Sequence, residues 1–450
     1  MKSIKFYIML SLASACLMIT GCKKFLDEKS DATLVVPTSL TDLQGLLDDS
    51  FTMNVSTSSF GDASSDAYFL PEDIYNSRID RYKDIYRWVP LLYNYPNDWS
   101  CDYNSIYVSN VCLERLQKIN ESSATKIDRD NIRGAALFFR AFYILDLLQE
   151  FGKAYDNDSS KTDPGVVLRL NADFNQPSTR ATVQECFDQV IKDTREAMTL
   201  LPADAVKPLR PSRIAAYALL ARTFLFTQKF DSSLKYATLS LTLKNDLLDY
   251  NSLNATASVP FKPFNKEIIF YTQMNGYHGT FSTSKAKIDS FLYQEYQDED
   301  LRKQVFFTSS TGYKSYKGSY AANRNLFFSG LATDELYLTA AECKIRLGDV
   351  PGALEYLNSL LSNRFKTGSF IPITETGSDK LLNIILNERR KELLFRGIRW
   401  ADIKRLNKIG SQIILQRKIS NEVIQLLPND KRYALPLPND IILQTGIRQN

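Results

Sequence analysis

The constraint that bears most on the fold is an internal repeat. Tyr217, Ala221, Phe230, Ser233, Leu234, Tyr236 and Ala237 line up, at an offset of 120, with Tyr337, Ala341, Val350, Ala353, Leu354, Tyr356 and Leu357. Each copy reads as a helix, a short turn (Gln228-Lys229-Phe230, then Gly348-Asp349-Val350) and a second helix. Small residues twelve apart, Ala221/Ser233 and Ala341/Ala353, let the two helices of each hairpin approach closely. The two copies share only a handful of positions, and together they predict a mainly α protein.

This is the spacing of tetratricopeptide (TPR) hairpins, which stack into a solenoid whose concave face usually holds another protein. A second helical signal lies downstream, in ERRKELLFRGIRWADIKRL from Glu388 to Leu406. On one continuous helix Glu388, Glu392, Arg396 and Arg399 fall within an arc of roughly 80°. Leu386, Leu393, Leu394, Ile398, Trp400 and Ile403 cover much of the remainder. Charges flanked by apolar residues on most sides must be paired, so the stretch reads as an ion-pair network inside a helical core. Its competing reading is a carboxylate pair for acid–base chemistry at Glu388 and Glu392, which would need an open cleft.

The N-terminus decides the compartment. Lys2 and Lys5 precede an uncharged run from Phe6 to Ile19, followed by Ile19-Thr20-Gly21-Cys22. This is a signal peptide, residues 1–21, too short in its apolar part to span a bilayer. The tetrad resembles a bacterial lipobox, so Cys22 is the expected lipidation site and the membrane is reached by a lipid anchor alone. Lys23, in place of Asp, favours the outer membrane. The formal net charge is +4, with 55 basic against 51 acidic residues interspersed, which gives no reason to expect nucleic acid. Cys101, Cys112, Cys186 and Cys343 match no zinc spacing and are expected to be free. If Cys101 and Cys112 share a helix they lie about 16 Å apart, beyond the roughly 7 Å a disulfide spans.

Helical periodicity fails from Leu248 to Ser329, apart from a short strand at Ile268–Tyr271. Tyr271, Tyr277, Phe281, Tyr293, Tyr296, Tyr313, Tyr316 and Tyr320 crowd this stretch. Long irregular insertions in helical proteins are usually functional or disordered, and so many aromatics argue against disorder. The expected segments are residues 22–205, a hairpin at 206–247, the insertion at 248–329, and 330–450 with the second hairpin.

Six stretches in order resemble the SusD/RagB family of outer-membrane lipoproteins. They are the lipidated start; Trp99, Tyr103, Ile106 and Asn110; Ala135, Arg140, Ala141, Phe151 and Gly152; the two TPR-like hairpins; Glu388, Arg389, Glu392, Leu393, Gly397, Arg399, Asp402 and Arg405; and the Leu-Pro-Leu-Pro ending before a terminal Gln-Asn. Two departures stand out. Arg396 occupies a position where the family usually has Glu, and the prolines near Gly152 are missing. Arg396 is expected to pair with Glu392 at i+4.

The resemblance implies a SusD-like fold and a surface protein that binds a nutrient and caps a SusC-like TonB-dependent outer-membrane transporter. It implies a glycan ligand, or a peptide in some members, on the loop-rich side. Sugar rings stack their C–H faces on aromatic planes, so the candidate ligand residues are Tyr68, Trp88, Tyr93, Tyr277, His278, Tyr313 and Tyr316. Trp99 is expected in the core. No HExxH, phosphate loop, nucleophile motif or metal cluster is visible, so no catalytic residue, metal or cofactor is expected. A TPR scaffold lipoprotein of outer-membrane assembly remains the alternative that binds only proteins.

Overall fold

The computed structural model describes residues 36–450 except 90, 91, 94, 121–124, 278 and 311. The signal peptide, Cys22 and His278 therefore lie outside the described residues. Helix α1 is Leu40–Asp48, α2 Asp98–Leu116, α3 Lys126–Phe151 and α4 Val183–Leu200. In α3 every residue from Gly134 to Leu145 is buried, the mark of a central core helix. Capping boxes start its neighbours: Asn97 with Ser100 begins α2, and Thr182 with Glu185 begins α4.

The repeat forms two helical hairpins, α5 (Arg213–Phe226) with α6 (Phe230–Leu243) and α7 (Thr333–Arg346) with α8 (Val350–Leu361). Ala221, Ser233, Ala341 and Ala353 are all fully buried where the helices meet. Ser233 Oγ donates to the Ala221 carbonyl at 2.8 Å, so the hydroxyl costs nothing in burial. Each helix packs on the next, α3 on α4, α4 on α5, α6 on α7, which builds a short solenoid. The turn between helices uses a left-handed residue in both copies: Gly348 (φ 85°) and, at the same repeat position, Gln228 (φ 58°).

Between the hairpins the chain makes short antiparallel pairs, such as Phe307–Ser310 with Tyr313–Tyr316 and Ile268–Phe270 with Leu331–Ala332. Most of its aromatics face inward. Tyr296, Tyr316 and Tyr320 are buried, and Phe281 stacks on Phe395 with centroids 5.5 Å apart. Here aromatic rings supply the core that regular secondary structure supplies elsewhere.

The charged stretch is not one helix. Helix α9 (Ser378–Glu392) ends, the chain turns through Phe395 (φ 54°) and Gly397 (φ 74°), and α10 (Arg399–Lys408) begins. The single-helix arc therefore does not exist, and Arg396 does not pair with Glu392. It meets Asp334 of α7 at 2.9 Å, because the turn swings it off the helix axis. Gly397 also sits too close to Ser329 for a side chain to fit easily, and its N–H donates to Asp62 at 3.0 Å.

Every other charged residue of the stretch is in an ion pair except Lys404, whose ammonium donates to the backbone carbonyls of Gln149 and Gly152. Arg302 meets Asp300, Glu388 and Glu392 at 2.7, 2.6 and 3.0 Å. Arg364 joins Glu392 at 2.8 Å to Glu267 at 2.9 Å. Arg389 and Arg405 share Asp402 at 2.8 and 2.7 Å, and Arg405 also meets Glu342 at 2.7 Å. Arg399 pairs with Asp66 at 2.7 Å. Glu392 is fully buried and Glu388 nearly so, and both are bound to Arg302, the arrangement of an ion-pair network. Among the described residues no helix is long and apolar enough to cross a membrane.

Candidate binding cleft

Helix α2 turns one stripe toward a cleft. Trp99, Tyr103, Tyr107 and Asn110 recur at three- and four-residue spacing, within about 80° of arc. The stripe floors a cleft of about 620 Å³, walled by Phe51, Tyr95, Phe174, Tyr277, Arg169, Asn171 and Asp440. Phe51, Tyr95 and Phe174 are 79%, 74% and 77% exposed, large apolar rings that no internal contact requires to face water. Phe174 leans on Tyr107 with centroids 4.6 Å apart. Trp99 is only 4% exposed, held between Tyr103 (4.7 Å) and Phe151 (5.2 Å), so it packs as core while its edge reaches the cleft.

The motif residues explain why the walls stay in place. Asn110 donates its amide to the carbonyls of Arg169 (2.9 Å) and Asn171 (3.0 Å), which seats the Phe174 loop. Arg140 grips Asp193 through two bonds of 2.7 and 2.9 Å and donates to Asn110 Oδ1 at 3.0 Å. Tyr103 donates its hydroxyl to Val167 O at 2.7 Å. On the far wall, the loop carrying Tyr277 passes Gly279 at φ +62°, where a Cβ would collide with the ring of Tyr82. Only glycine fits that turn.

The cleft's polar groups suit hydroxyls. Asn104 is exposed on α2 with its amide engaged by no protein group. One Arg (Arg169) faces two Asp (Asp173, Asp440), a formal balance of −1. Asp440 already accepts the N–H groups of Tyr95 (3.1 Å) and Ile441 (3.0 Å). Burial pushes the Cys101 thiol well above its ordinary range, with Asp98 and Asp102 adding to the shift, so it is no thiolate nucleophile.

Of the ligand residues expected from sequence, Tyr277 lines this cleft. The other described candidates are dispersed. Tyr68 is buried, its hydroxyl within 2.7 Å of Ala63 O and 2.8 Å of Thr280 Oγ1. Tyr316 is buried between Phe306, Phe327 and Phe395. Neither offers a ring face to a ligand, since close packing already uses both faces. Trp88 and Tyr93 line a separate cavity of about 510 Å³, but their polar atoms are spent on Ser64 O (2.9 Å) and Pro436 O (2.6 Å). Tyr313 is exposed on its hairpin, edge-on to Phe69. Phe51, Tyr95, Asn104, Tyr107 and Phe174 were not expected. Tyr107 was available from sequence, because it extends the Trp99/Tyr103 stripe by one turn.

One group of acids has metal-like geometry. Glu267, Asp334 and Glu392 bring carboxylate oxygens within 4.8 Å of one another. Arg364, Arg396 and Arg302 already neutralise them, and Tyr320 donates to Glu267, so guanidinium groups fill the place of a cation. Burial still pushes Glu267 up to about 7 despite Arg364. The four cysteines at 101, 112, 186 and 343 are free thiols.

Comparison with known proteins agrees with the geometry. A family model described as "Starch-binding associating with outer membrane" matches residues 24–225, and the SusD family model matches residues 333–435. A SusD-like protein P2 of Formosa agariphila is 24% identical over 412 residues, covering 77% of this chain and 78% of that protein. A SusD superfamily protein from Bacteroides thetaiotaomicron superposes with a TM-score of 0.73 at 21% identity, over 92% of this chain and 99% of the other. A SusD-like carbohydrate binding protein from Bacteroides vulgatus gives 0.68 at 19% identity, over 91% and 97%. With both family models matching in order on a shared fold, the chain belongs to the SusD/RagB family of binding proteins.

Proposed function

We propose that the chain is a lipid-anchored outer-membrane protein that takes a neutral oligosaccharide into the α2 cleft. From there it passes the sugar to a SusC-like TonB-dependent transporter. The observation that carries the reading is the set of outward aromatic rings, Phe51, Tyr95 and Phe174, gathered around the free Asn104 amide. Rings stack on the C–H faces of sugars, a carboxamide bridges neighbouring hydroxyls, and a formal charge of −1 repels a polyanion. Both cleft carboxylates already accept backbone amides, Asp440 those of Tyr95 and Ile441 and Asp173 that of Asn175 at 2.9 Å, which does not favour a glycosidase pair. The family's printed description and the carbohydrate-binding relative support the same ligand class. Cys22 would supply the anchor.

Calorimetric titration of the soluble form lacking residues 1–22 tests this. The panel is maltohexaose, cellohexaose, xylohexaose, laminarihexaose and a casein peptide digest. One neutral hexasaccharide should bind, and Tyr107→Ala or Tyr277→Ala should weaken it by about tenfold, as expected for one lost aromatic contact. Binding of the peptides alone, or hexasaccharide binding indifferent to both substitutions, would reject the cleft.

A further inference from the structure

The Tyr277 wall is held from behind by a hydrogen-bond chain that ends in a buried acid. Tyr277 N–H donates to Asn275 Oδ1 at 2.9 Å. The Asn275 amide donates to Asp98 Oδ1 at 2.8 Å and to Thr57 O at 3.0 Å. Asp98 is the residue before Trp99, so one carboxylate ties the floor of the cleft to its far wall. Its other oxygen accepts the N–H groups of Ser59 (2.6 Å) and Phe60 (2.7 Å).

Three more acids lie behind it. Asp102 accepts from Ser58 Oγ at 2.8 Å, Asp146 from Ser58 N–H at 2.7 Å, and Glu150 from Gly61 N–H at 2.6 Å. Asp98 and Glu150 lie close enough for their charges to act on one another, as do Asp102 and Asp146. Asp102 Oδ1 and Glu150 Oε2 are buried with no donor from any other group. Facing carboxylates with no donor between them repel unless a proton is shared.

Among the described residues no cation pairs directly with the quartet. From α10, Lys404 spends its ammonium on the carbonyls of Gln149 and Gly152. From α5, Arg222 is bound to Glu335 and Gly330. The remaining neighbours, Tyr93, Tyr143, Cys101 and Tyr277, are neutral, with burial pushing each of them up. Burial pushes all four carboxyls up as well, Asp146 to about 7, and pushes Lys404 down to about 7. Rising pH thus adds negative charge to the quartet while removing a neighbouring positive one.

We infer that Asp98 and Asn275 are positioning residues of the cleft, and that protons shared in the carboxyl quartet tie the Tyr277 wall to pH. The inference rests on the cleft reading above. Above neutrality the facing carboxylates separate, Asp98 shifts off Asn275, and Tyr277 loses its seat.

Backbone hydrogen exchange of the unliganded full chain in detergent tests the latch without any ligand. Corrected for intrinsic exchange, protection at residues 275–277 should fall between pH 6 and pH 9, by up to roughly tenfold per pH unit for each proton released. Glu150→Gln, or Asp102→Asn should that variant fold better, should keep the pH 6 protection up to pH 9. Asn275→Ala should lose it at every pH while α5 and α7 stay protected. Flat wild-type protection across this range, or unchanged protection in Asn275→Ala, would overturn the inference. The hexasaccharide titration is a separate readout. If no hexasaccharide binds, the cleft reading fails and the exchange result stands. If one binds with the same affinity at pH 6 and pH 9, the coupling fails and the cleft stands.

Discussion

The clasp around α9 and α10 and the carboxyl quartet solve the same problem, a group of buried charges, in opposite ways. In the clasp around α9 and α10, each acid has a guanidinium partner at 2.6–3.0 Å, as with Arg302 on Asp300, Glu388 and Glu392. In the quartet beside the cleft, four acids accept from backbone N–H groups and hydroxyls, with no direct cation among the described residues. Ionised groups leave water only if paired or neutralised. The clasp uses counter-charges and the quartet uses protons. A cluster held by pairing is rigid at any moderate pH, whereas one held by protons can respond to pH. The responsive cluster is the one that touches the candidate cleft.

The largest test breaks the pairing. Arg302→Met leaves Asp300, Glu388 and Glu392 without their shared cation in a site where Arg302 is fully buried. Removing one partner of a buried pair costs about 3–5 kcal/mol. Urea unfolding at pH 7 should show a loss of that size or greater. A loss under about 1 kcal/mol would mean that the clasp stays protonated and resembles the quartet after all.

The second test sets the two pH dependences against each other. In the clasp, burial opposes ionisation of Glu342, but Arg405 and Arg346 outweigh it and hold the carboxyl down at about 2. Glu388 and Asp402 are lowered in the same way by their Arg and Lys partners. Such groups stabilise the fold above the ordinary carboxylate range, and that stability is lost as pH falls through their native values. Quartet acids have the opposite sign. Asp146, raised to about 7, binds a proton in the native state that the unfolded chain has released. Its contribution is complete below about pH 4 and declines as pH rises toward 7. Melting temperature should therefore fall on both sides of a mildly acidic maximum. Glu150→Gln should flatten the alkaline limb alone, by on the order of a few kcal/mol between pH 5 and pH 9. An alkaline limb unchanged in Glu150→Gln would show that the quartet does not carry it.

What was legible in the sequence follows the range of the interactions involved. The hairpins could be read because Ala221/Ser233 and Ala341/Ala353 satisfy a local contact rule, and the structure buries all four. Pairing within the 388–406 stretch could be read from charges among apolar residues. The break between α9 and α10 could not be read from periodicity, although Gly397, at φ 74°, was its one visible signal. The cleft was the least legible part. An aromatic-rich stretch does not say which rings face water, and the insertion spends Tyr296, Tyr316 and Tyr320 on its own core. Phe51, Tyr95 and Phe174 come from three separate segments that converge only when α2, α3 and α4 pack. The scaffold motif pointed to the site indirectly, because Asn110 and Arg140 are the residues that hold its wall.

The smallest effect separates position within the clasp from membership of it. Glu388 lies at the edge, with 12% of its side chain exposed, and shares Arg302 with Asp300 and Glu392. Glu388→Gln removes a charge but keeps a hydrogen-bond acceptor and leaves Arg302 with two carboxylates. Lys391 loses its 2.6 Å partner but retains Asp300 at 3.8 Å. The expected cost is about 1 kcal/mol, the value of one charged hydrogen bond weakened near solvent. Set beside Glu150→Gln, which should cost nothing above neutrality, the same change of Glu to Gln then has opposite consequences in the two clusters. Equal losses for the two variants at pH 8 would show that burial alone, and not the presence of a counter-ion, decides what a carboxyl contributes in this fold.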